Sequence, residues 1–530
     1  MTNNLGTHPL ATTLAIPDPL NVVGVQALDA TAPRVAVHLH GSYVAQLSDG
    51  GPMEYFPRNS APFNTTTYTY TWPNDQQAAT LWYHDHAFGL TRANVYAGLA
   101  AFYLLRDEYD TGVAGNAIGL PAPYGTYELP LVIQDKSFNA DGTLFYSPDF
   151  AWIPEFFGDV AVVNGKAWPN LNVEQAVYRF RIINGSQARF YNLSLSKGVR
   201  IYQIGTESGL LDAPVRLNSL LIAPGERVDI LVDFTKANVG TQIIMQNNAP
   251  TPFPSGKRTN RAGGAELPEI MKFTVTAAAG AGAVKTIPAS LRGATGQPPL
   301  LTQLSANTAS IVKQRYLVLF EVMGPAGPIA ATINALALNE SLSGPNAMNA
   351  AGDGAVQKDT LEQWNIINLT GDTHPMHLHL ANFQLLDRQN FNTTQYLAAL
   401  TAIGTRTWPS AMADALGVVV QVPDTTLGAV PDPAPHLIGM SFPAPANEMG
   451  WKDTIQCPPG QVTRILVPFG NDALGTAGTT GSDDIPFGRL VTAGAGVYAS
   501  FGGSFTGTYV WHCHILDHEE NDMMNSYQIV

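Results

Sequence analysis

The hydrophobic and polar positions along the chain follow the two-residue period of β-strands. Residues 227–234 alternate polar and apolar side chains after the turn Pro224-Gly225. Residues 35–40 and 177–184 are short runs rich in β-branched or aromatic residues. Long runs with the 3.6-residue helical period are hard to find. The pattern predicts an all-β chain that contains several sandwiches or barrels.

The chain divides into three strand-rich blocks. The predicted blocks are residues 1–135, 136–283 and 314–530, with a linker rich in Ala, Gly and Pro at 284–313. Within the third block, residues 395–448 and 475–503 carry few charges and are predicted to be long loops. Long loops on a rigid scaffold are more often functional than idle, so both are of interest for substrate binding.

The composition of the 530 residues limits the classes of partner. Lys and Arg number 28 against 42 Asp and Glu, which gives a net charge of −14. Nucleic acids and anionic membranes need a basic face, so neither is expected as the main partner. No run approaches the roughly 20 apolar residues of a membrane span, and no signal peptide is visible at the N-terminus. Localisation and oligomeric state stay open.

Histidines are concentrated at the two ends of the chain. None of the 12 lies between His86 and His374, so the two ends are expected to meet in one site. Two histidines at i and i+2 in a strand point to the same face. The pairs with this spacing are His38 with His40, His84 with His86, His377 with His379, and His512 with His514. Imidazole is the commonest transition-metal ligand, and the pairs predict a multinuclear copper or iron site.

A cysteine lies between two of these histidines. In a strand, the side chain of Cys513 points away from the face that His512 and His514 share, so it can bind a different metal. A soft thiolate, two imidazoles and a distant methionine form a blue copper site. Met523 is the candidate methionine, and Met524 is its local alternative.

The histidines fall into four motifs. These are His38-Leu-His-Gly41, Trp82-Tyr-His-Asp-His86, His374-Pro-Met-His-Leu-His379, and His512-Cys-His-Ile-Leu-Asp-His518 followed by Met523. Shorter segments between them include Val163-Asn-Gly165, Ala223-Pro-Gly-Glu-Arg-Val-Asp229 and Gly450-Trp-Lys-Asp453. Together they resemble the multicopper oxidases, above all the bacterial laccases of spore-coat type, with bilirubin oxidase and phenoxazinone synthase as near relatives. The resemblance implies three cupredoxin-like domains of Greek-key β-sandwich or barrel form.

The resemblance also implies four copper ions per chain and a ligand set for each. His374, Cys513, His518 and Met523 would hold the type 1 copper, His38 and His377 the type 2 copper, and His40, His84, His86, His379, His512 and His514 the type 3 pair. The trinuclear site would lie between the first and third domains, and the second domain would be structural, without copper ligands. A copper thiolate cannot also form a disulfide, so Cys457 is expected to be a small buried residue.

Reduction of dioxygen to water consumes four protons, and the resemblance places two acids near the trinuclear site. Asp49 and Glu519 match positions where this laccase group carries acids that assist proton delivery and O–O cleavage. The alternative role is structural: Asp49 shapes a turn, and Glu519 orients a ligand imidazole. Together with Cys513, they are the candidate catalytic residues.

The reaction that the resemblance implies is one-electron oxidation of phenols or aromatic amines, coupled to four-electron reduction of dioxygen to water. Dioxygen and a small aromatic reductant are the expected partners, with bilirubin and aminophenol as alternative substrates. A Cu(I) or Mn(II) oxidase is a second enzyme hypothesis; a methionine-rich loop near Cys513 would favour it, but the 12 methionines are scattered. A copper store or coat protein without turnover is the alternative that is not an enzyme.

The chain is expected to begin inside the first domain. Thr2-Asn-Asn-Leu-Gly6 resembles a phrase that ends a strand upstream of the first copper motif in the family, yet only 37 residues precede His38. We therefore expect the first domain to be truncated at its N-terminus, with unpaired strand edges and exposed apolar surface. The alternative is a family branch with a shortened first domain.

Overall fold

The computed structural model describes most of the chain. The described residues are all except 15–24, 27, 58–60, 147–153, 257–265, 325–326, 339, 341–347, 349–353, 409–418, 428–429 and 471–505. Strands dominate this part, and the helices between them are short. The all-β class predicted from the two-residue period is therefore confirmed.

The bounds of the elements are as follows. In residues 1–145 the strands are β1 (Val37–His40), β2 (Thr80–Asp85), β3 (Ala100–Leu104), β4 (Glu128–Phe138) and β5 (Leu144–Phe145). Residues 160–277 contain β6 (Val160–Val163), β7 (Lys166–Ala167), β8 (Asn170–Glu174), β9 (Val177–Asn184), β10 (Tyr191–Leu195), β11 (Ile201–Thr206), β12 (Gly209–Leu217), β13 (Leu220–Ile222), β14 (Arg227–Asp233), β15 (Gln242–Asn247) and β16 (Glu269–Ala277). Residues 311–529 contain β17 (Ile311–Gly324), β18 (Gly327–Ile333), β19 (Leu361–Asn368), β20 (His374–Leu378), β21 (Gln384–Phe391), β22 (Thr405–Thr407), β23 (Gln421–Pro423), β24 (Leu437–Pro443), β25 (Thr454–Cys457), β26 (Gln461–Pro468), β27 (Gly507–Cys513) and β28 (Met524–Ile529).

Short helices connect these strands. Within the described ranges, the α-helices are α1 (Ala11–Leu14), α2 (Thr91–Ala97), α3 (Thr393–Thr401) and α4 (Leu516–Glu519). The 3₁₀ helices there are Gln46–Ser48, Ser196–Gly198, Leu304–Ser310, Thr425–Leu427, Ala434–His436 and Ala446–Glu448. None of the described helices is long and apolar enough to cross a membrane.

The strands pair into sheets that follow the order of the predicted blocks. Strands β1, β2 and β3 form an antiparallel sheet. An eight-stranded sheet of spatial order β12-β11-β14-β9-β4-β6-β7, with β5 beside β4, packs against a five-stranded sheet of order β13-β10-β15-β16-β8. In the third block, the six-stranded sheet β18-β17-β19-β26-β21-β24 packs against the four-stranded sheet β25-β20-β27-β28, and β22 pairs with β23.

The polar positions of the alternating strand β14 are buried rather than exposed to water. Arg227 and Asp229 are at most 4% exposed. Asp229 accepts a hydrogen bond of 3.0 Å from Nε of Arg179 on β9, and the same guanidinium donates to Asp110 at 2.7 Å. Buried charges are costly unless they are paired. The ion pairs therefore satisfy these side chains and link the segment after β3 to the eight-stranded sheet.

The third block has an aromatic core that includes two candidate copper ligands. The rings of Trp364 and Trp511 meet edge to face, with centroids 5.6 Å apart, and Tyr527 packs against Trp364. Cys513 and Met523 belong to the same cluster and are fully buried. Cores are densely packed. The two candidate ligands are consequently held by the sheets of this block.

The predicted loop at 395–448 is partly wrong, because it contains much of α3 as well as β22, β23 and β24. The side chain of Asn392 caps α3 by accepting a hydrogen bond from the backbone N–H of Gln395 at 3.1 Å. Tyr396 and Leu400 lie one turn apart and are both buried. The cap and this apolar pair stabilise the helix despite the low charge. The predicted loop at 475–503 lies outside the described residues.

The block boundaries stay a prediction, and we keep the three-block division as a proposal. Strand β4 crosses residue 135 and pairs with β9 in the eight-stranded sheet. The predicted linker at 284–313 ends in the 3₁₀ helix Leu304–Ser310 and the first residues of β17. The separate sheets and cores of the second and third blocks support the division.

Candidate metal centres

Two pairs of antiparallel strands carry most of the candidate histidines. Strands β1 and β2 oppose His38 to His84, and strands β20 and β27 oppose His377 to His512. Opposed residues lie on one face of a sheet, so each strand pair directs its imidazoles to the same side. Three further histidines follow directly after the last residue of a strand: His86, His379 and His514.

The imidazoles meet in one buried cluster, which we call the histidine cluster. His512 Nε2 lies 3.2 Å from His86 Nε2 and 3.2 Å from His379 Nε2. His86 comes from the first block, whereas the other two come from the third. The two ends of the chain therefore meet, as the distribution of histidines predicts.

Further contacts extend the histidine cluster. His38 Nε2 and His377 Nε2 are 3.4 Å apart, and His40 Nδ1 lies 3.3 Å from His84 Nε2. The ring of His514 lies 5.0 Å from that of His40, centroid to centroid. All eight rings of the cluster are at most 1% exposed. Water is thus largely excluded from around these nitrogens.

The nitrogens of the cluster suit metal binding. Burial lowers the pKa values of His40, His84 and His377 well below 6.5, so these rings are neutral and each keeps a lone pair. Among the described residues, neither ring nitrogen of His514 nor Nδ1 of His86 has a hydrogen-bond partner. Buried polar atoms without partners are rare. Two nitrogens that each lie about 2 Å from one ion are about 3 Å apart, which the 3.2 Å contacts match.

A second group, the thiol group, lies on the other face of β27. Cys513 Sγ is 3.5 Å from His374 Nδ1 and 3.8 Å from His518 Nδ1, and these two nitrogens are 3.2 Å apart. The hydroxyl of Thr370 lies 2.6 Å from His374 Nε2, and the backbone of Pro154 hydrogen-bonds the ring of His518. These contacts orient both Nδ1 atoms towards the sulfur. One thiol and two imidazoles form the soft donor set that copper prefers.

Met523 lies in the core around the thiol group. It is fully buried, and its carbonyl accepts a 2.9 Å hydrogen bond from the backbone N–H of Cys513. Met524 instead lies on β28 opposite His512. Burial raises the pKa of the Cys513 thiol well above its usual value. The positive charge of a bound metal ion would deprotonate such a thiol.

The structure places both predicted acids beside the histidine cluster. Asp49 Oδ2 lies 2.8 Å from His379 Nδ1, and its backbone carbonyl lies 2.7 Å from His38 Nδ1. Glu519 Oε2 lies 3.1 Å from His512 Nδ1, and its Oε1 lies 3.5 Å from His86 Nε2. Within the described residues, Asp49 Oδ1 and Glu519 Oε1 have no hydrogen-bond partner. Each carboxyl group therefore contacts a ring of the histidine cluster through one oxygen.

Sequence reasoning missed the role of two charged residues at the histidine cluster. Asp453 Oδ1 lies 3.1 Å from His40 Nε2, and the Asp453 carbonyl lies 2.8 Å from His377 Nδ1. Arg227 donates hydrogen bonds of 2.7 and 2.5 Å to the two carboxylate oxygens of Asp453. Burial alone would raise the pKa of Asp453, but the pairing with Arg227 outweighs burial and lowers it. Both residues lie in short segments that resemble the family, Ala223–Asp229 and Gly450–Asp453. This resemblance was the signal in the sequence that could have identified them.

The middle block reaches the histidine cluster through a glycine. Gly225 has a φ of +79°, and a Cβ atom added there would lie 2.5 Å from Cγ of His514. Gly41 has a φ of +91°, and its added Cβ would lie 2.5 Å from Nη2 of Arg227. Only glycine combines this backbone conformation with so close an approach. The middle block, predicted to be purely structural, therefore packs directly against a candidate ligand.

Known proteins similar to this chain span almost its whole length. The sequence pattern of the multicopper oxidases matches residues 21–110, 123–263, and 325–476 with 490–530. A laccase of Bacillus stratosphericus is 35% identical over 95% of this chain and 82% of its own length. A laccase of Bacillus subtilis (strain 168) is 33% identical over 94% and 80%, respectively. The multicopper oxidase LPR1 of Arabidopsis thaliana is 33% identical over 93% and 75%.

A solved structure agrees with these sequence matches. The crystal structure of the multicopper oxidase McoA from Aquifex aeolicus superimposes with a TM-score of 0.63 at 28% identity, covering 94% of this chain and 84% of that one. The predicted cupredoxin-like fold is thereby confirmed, as are the predicted resemblance and the copper cofactor. The buried imidazoles and the separate thiol group provide the donors that this cofactor needs. The chain belongs to the multicopper oxidase family.

Proposed function

We propose that the histidine cluster and the thiol group hold four copper ions per chain. His374, Cys513, His518 and Met523 hold the type 1 copper, His38 and His377 the type 2 copper, and His40, His84, His86, His379, His512 and His514 the type 3 pair. The close approach of ligand atoms, ring nitrogens and the Cys513 sulfur, supports this assignment in the groups His38–His377–His379, His86–His379–His512 and His374–Cys513–His518.

The position of Cys513 is the observation that carries an oxidase function. Its thiol faces His374 and His518, whereas its chain neighbours His512 and His514 belong to the histidine cluster. When bound, copper ions at these groups would accept electrons singly from a reductant and supply four of them to dioxygen, giving two waters. The backbone of β27 and of the next residue, His514, joins the two groups. The rigid sheet fixes the separation between them.

We propose that the electron donors are phenols or aromatic amines. The two Bacillus relatives are named as laccases, and this supports the donor class. Bilirubin and aminophenol belong to the same chemical range and stay alternatives within it. A copper store without turnover would show no oxygen uptake with any of these compounds, which makes oxygen uptake the first measurement.

A second candidate function, oxidation of metal ions, is favoured by three carboxyl groups that sequence reasoning did not identify. Glu155 follows Pro154, whose backbone contacts His518. Asp372 and Glu321 are close enough to Glu155 to interact with it electrostatically. Burial, and then the charge of Asp372, raises the pKa of Glu321 to about 7. Neighbouring carboxyl groups of this kind raise one another's pKa, and a bound cation would relieve the repulsion between their charged forms. A metal ion held by these oxygens would then donate electrons from this position.

Steady-state oxygen uptake distinguishes the two donor classes. For the copper-loaded chain, we expect kcat/KM to be at least about tenfold higher for 2,6-dimethoxyphenol than for Fe(II), Mn(II) or Cu(I). Glu321→Gln removes one carboxylate, and it should leave the phenol rate within about twofold because it removes no proposed copper ligand. The matched control is Glu269→Gln, an exposed carboxylate on β16.

Faster turnover of a metal ion than of every phenol, with that turnover lost in Glu321→Gln alone, would establish the second candidate instead. An absence of oxygen uptake with every donor, from protein that has its full copper content, would contradict both enzyme functions.

We propose that Asp49 and Glu519 deliver protons to the site of oxygen reduction. Asp49 Oδ1 has no hydrogen-bond partner among the described residues, while Oδ2 lies 2.8 Å from His379 Nδ1. One oxygen can therefore carry a proton while the other orients the imidazole. Glu519 lies between His512 and His86, at 3.1 and 3.5 Å, and can serve both rings in the same way.

The amide variants Asp49→Asn and Glu519→Gln test this proton role. We expect both to keep the blue colour and reduction by phenol, because neither residue is a proposed ligand of the type 1 copper. Reoxidation of the reduced protein by dioxygen should slow by about 10²-fold or more and change its pH dependence, since an amide cannot transfer the proton. Stopped-flow absorbance measures both half-reactions. If reoxidation keeps the wild-type rate in both variants, the acids only orient the imidazoles.

A further inference from the structure

A cleft on the middle block gathers positive charge in an acidic protein. Its volume is about 420 Å³, and its lining includes Lys197, Arg200, Arg216 and Lys236, together with Tyr202 and Asp233. The whole chain has 28 Lys and Arg residues and a net charge of −14. Four basic residues around one cleft are therefore unusual in a chain whose net charge is negative.

The two arginines of the cleft differ from the other described arginines. The side chains of Arg200 and Arg216 make no hydrogen bond and no ion pair in the part of the chain that the structure describes. Every other described arginine except Arg292 pairs with a carboxylate. Arg292 donates to backbone carbonyls and to Gln77. The unpaired guanidinium groups are thus confined to one place in the described fold.

The acidic residue in the lining does not neutralise this charge. Asp233 Oδ1 accepts hydrogen bonds of 2.8 and 2.5 Å from the backbone N–H and the hydroxyl of Thr235. Four basic side chains and one carboxylate give the lining a net charge of 4 − 1 = +3. Like charges around one cleft repel each other unless an anion lies between them.

Regular structure holds these side chains in place. Arg216 on β12 is the cross-strand partner of Tyr202 on β11, so the two side chains share one face of the sheet. Arg200 directly precedes β11, Lys197 belongs to the 3₁₀ helix Ser196–Gly198, and Lys236 follows β14. The cations therefore lie at one end of β12, β11 and β14, on the side of the eight-stranded sheet that finishes with β12. None of the four is a proposed copper ligand.

We propose that this cleft binds a compact anion that carries two or more phosphate charges, of the class of pyrophosphate and organic diphosphates. Arginine recognises phosphate oxygens through paired N–H donors, and lysine adds point charges. A compact ligand fits a cleft of about 420 Å³. The residues outside this lining give the chain a net charge of −14 − 3 = −17, and this overall negative charge would repel a long polyanion that extends beyond the cleft.

Isothermal titration of the copper-loaded chain with sodium pyrophosphate tests the site. We expect one pyrophosphate per chain, with an affinity that falls as NaCl is raised. Arg200→Gln and Arg216→Gln should each weaken binding by at least about tenfold, because each removes charge-assisted hydrogen bonds. The blue absorbance is followed throughout to verify that pyrophosphate removes no copper.

The matched control is Lys166→Gln. Lys166 is an exposed cation on β7, at the opposite edge of the same sheet. We expect this variant to bind pyrophosphate like the wild type. The proposal is overturned if the wild type shows no saturable binding of pyrophosphate, or if all three variants bind pyrophosphate as tightly as the wild type does. A parallel titration uses an oligonucleotide of 20 thymidines. If this polymer binds, pyrophosphate does not, and Arg200→Gln weakens the binding, then the cleft binds a polyanion and the proposal of a compact ligand is overturned.

Discussion

Replacement of Cys513 by serine is expected to remove the blue colour of the copper-loaded protein and to reduce phenol oxidation by at least about a thousandfold. Cys513 Sγ lies within 3.8 Å of the Nδ1 atoms of His374 and His518. A serine hydroxyl is a hard donor that does not replace a thiolate for copper. The histidine cluster does not use this thiol, so the variant should lose one copper ion per chain and keep the others. Visible absorbance and metal analysis measure the two effects.

The matched control for this prediction is Cys457→Ser. Cys457 is the other cysteine of the chain; it is fully buried, as the sequence predicts, and lies opposite His374 across β25 and β20. Its replacement buries a hydroxyl in the same core and lowers the stability by about 1–3 kcal/mol. We expect this variant to stay blue and active. A blue Cys513→Ser protein would contradict the assignment of the type 1 copper.

Gly225→Ala is expected to have the second largest effect, although this residue binds no metal. The added Cβ would lie 2.5 Å from Cγ of His514, whose backbone N–H donates a 2.7 Å hydrogen bond to the carbonyl of Pro375. The ring must therefore move away from position 225, and it loses its present position in the histidine cluster. We expect the free energy of unfolding to fall by about 3 kcal/mol, with weaker type 3 copper binding and slower oxygen reduction. The blue absorbance should persist, because the thiol group is untouched.

Gly240→Ala separates backbone strain from displacement of the imidazole. Gly240 also has a positive φ, of +91°, but a Cβ there meets no atom within 4 Å. We expect it to cost about 1–2 kcal/mol of stability and to leave copper content and activity unchanged. Chemical denaturation and metal analysis of both variants give the comparison. Equal copper content in the two variants would show that Gly225 does not support His514.

Local patterns in the sequence were sufficient to predict the strands and the candidate ligands. The i, i+2 spacing of His512 and His514 places them on one face of a strand, and Cys513 between them must face the other way. The structure brings each of these side chains to the group expected from that alternation. These predictions succeeded because the period of a strand is a property of the backbone itself.

Contacts between distant parts of the chain could not be predicted in the same way. Asp453 and Arg227 are 226 positions apart, yet they form a buried ion pair beside His40. The two-residue alternation of β14 alone does not distinguish Arg227 from a polar residue on an exposed strand face. The approach of Gly225 to His514 and the unpaired cations of the middle block also depend on how the strands pack.

The sequence by itself predicted the strand class from periodicity, and it predicted the family and the candidate copper ligands from motifs that resemble the multicopper oxidases; both kinds of pattern are local. Only the tertiary structure decided which polar residues are buried, which acids face the imidazoles, and where α3 replaces the expected loop. Burial and charge pairing depend on the neighbours that folding brings together. Asp49 shows the difference: its position in the sequence suggests an acid near the copper site, but its 2.8 Å contact with His379 exists only in the folded protein.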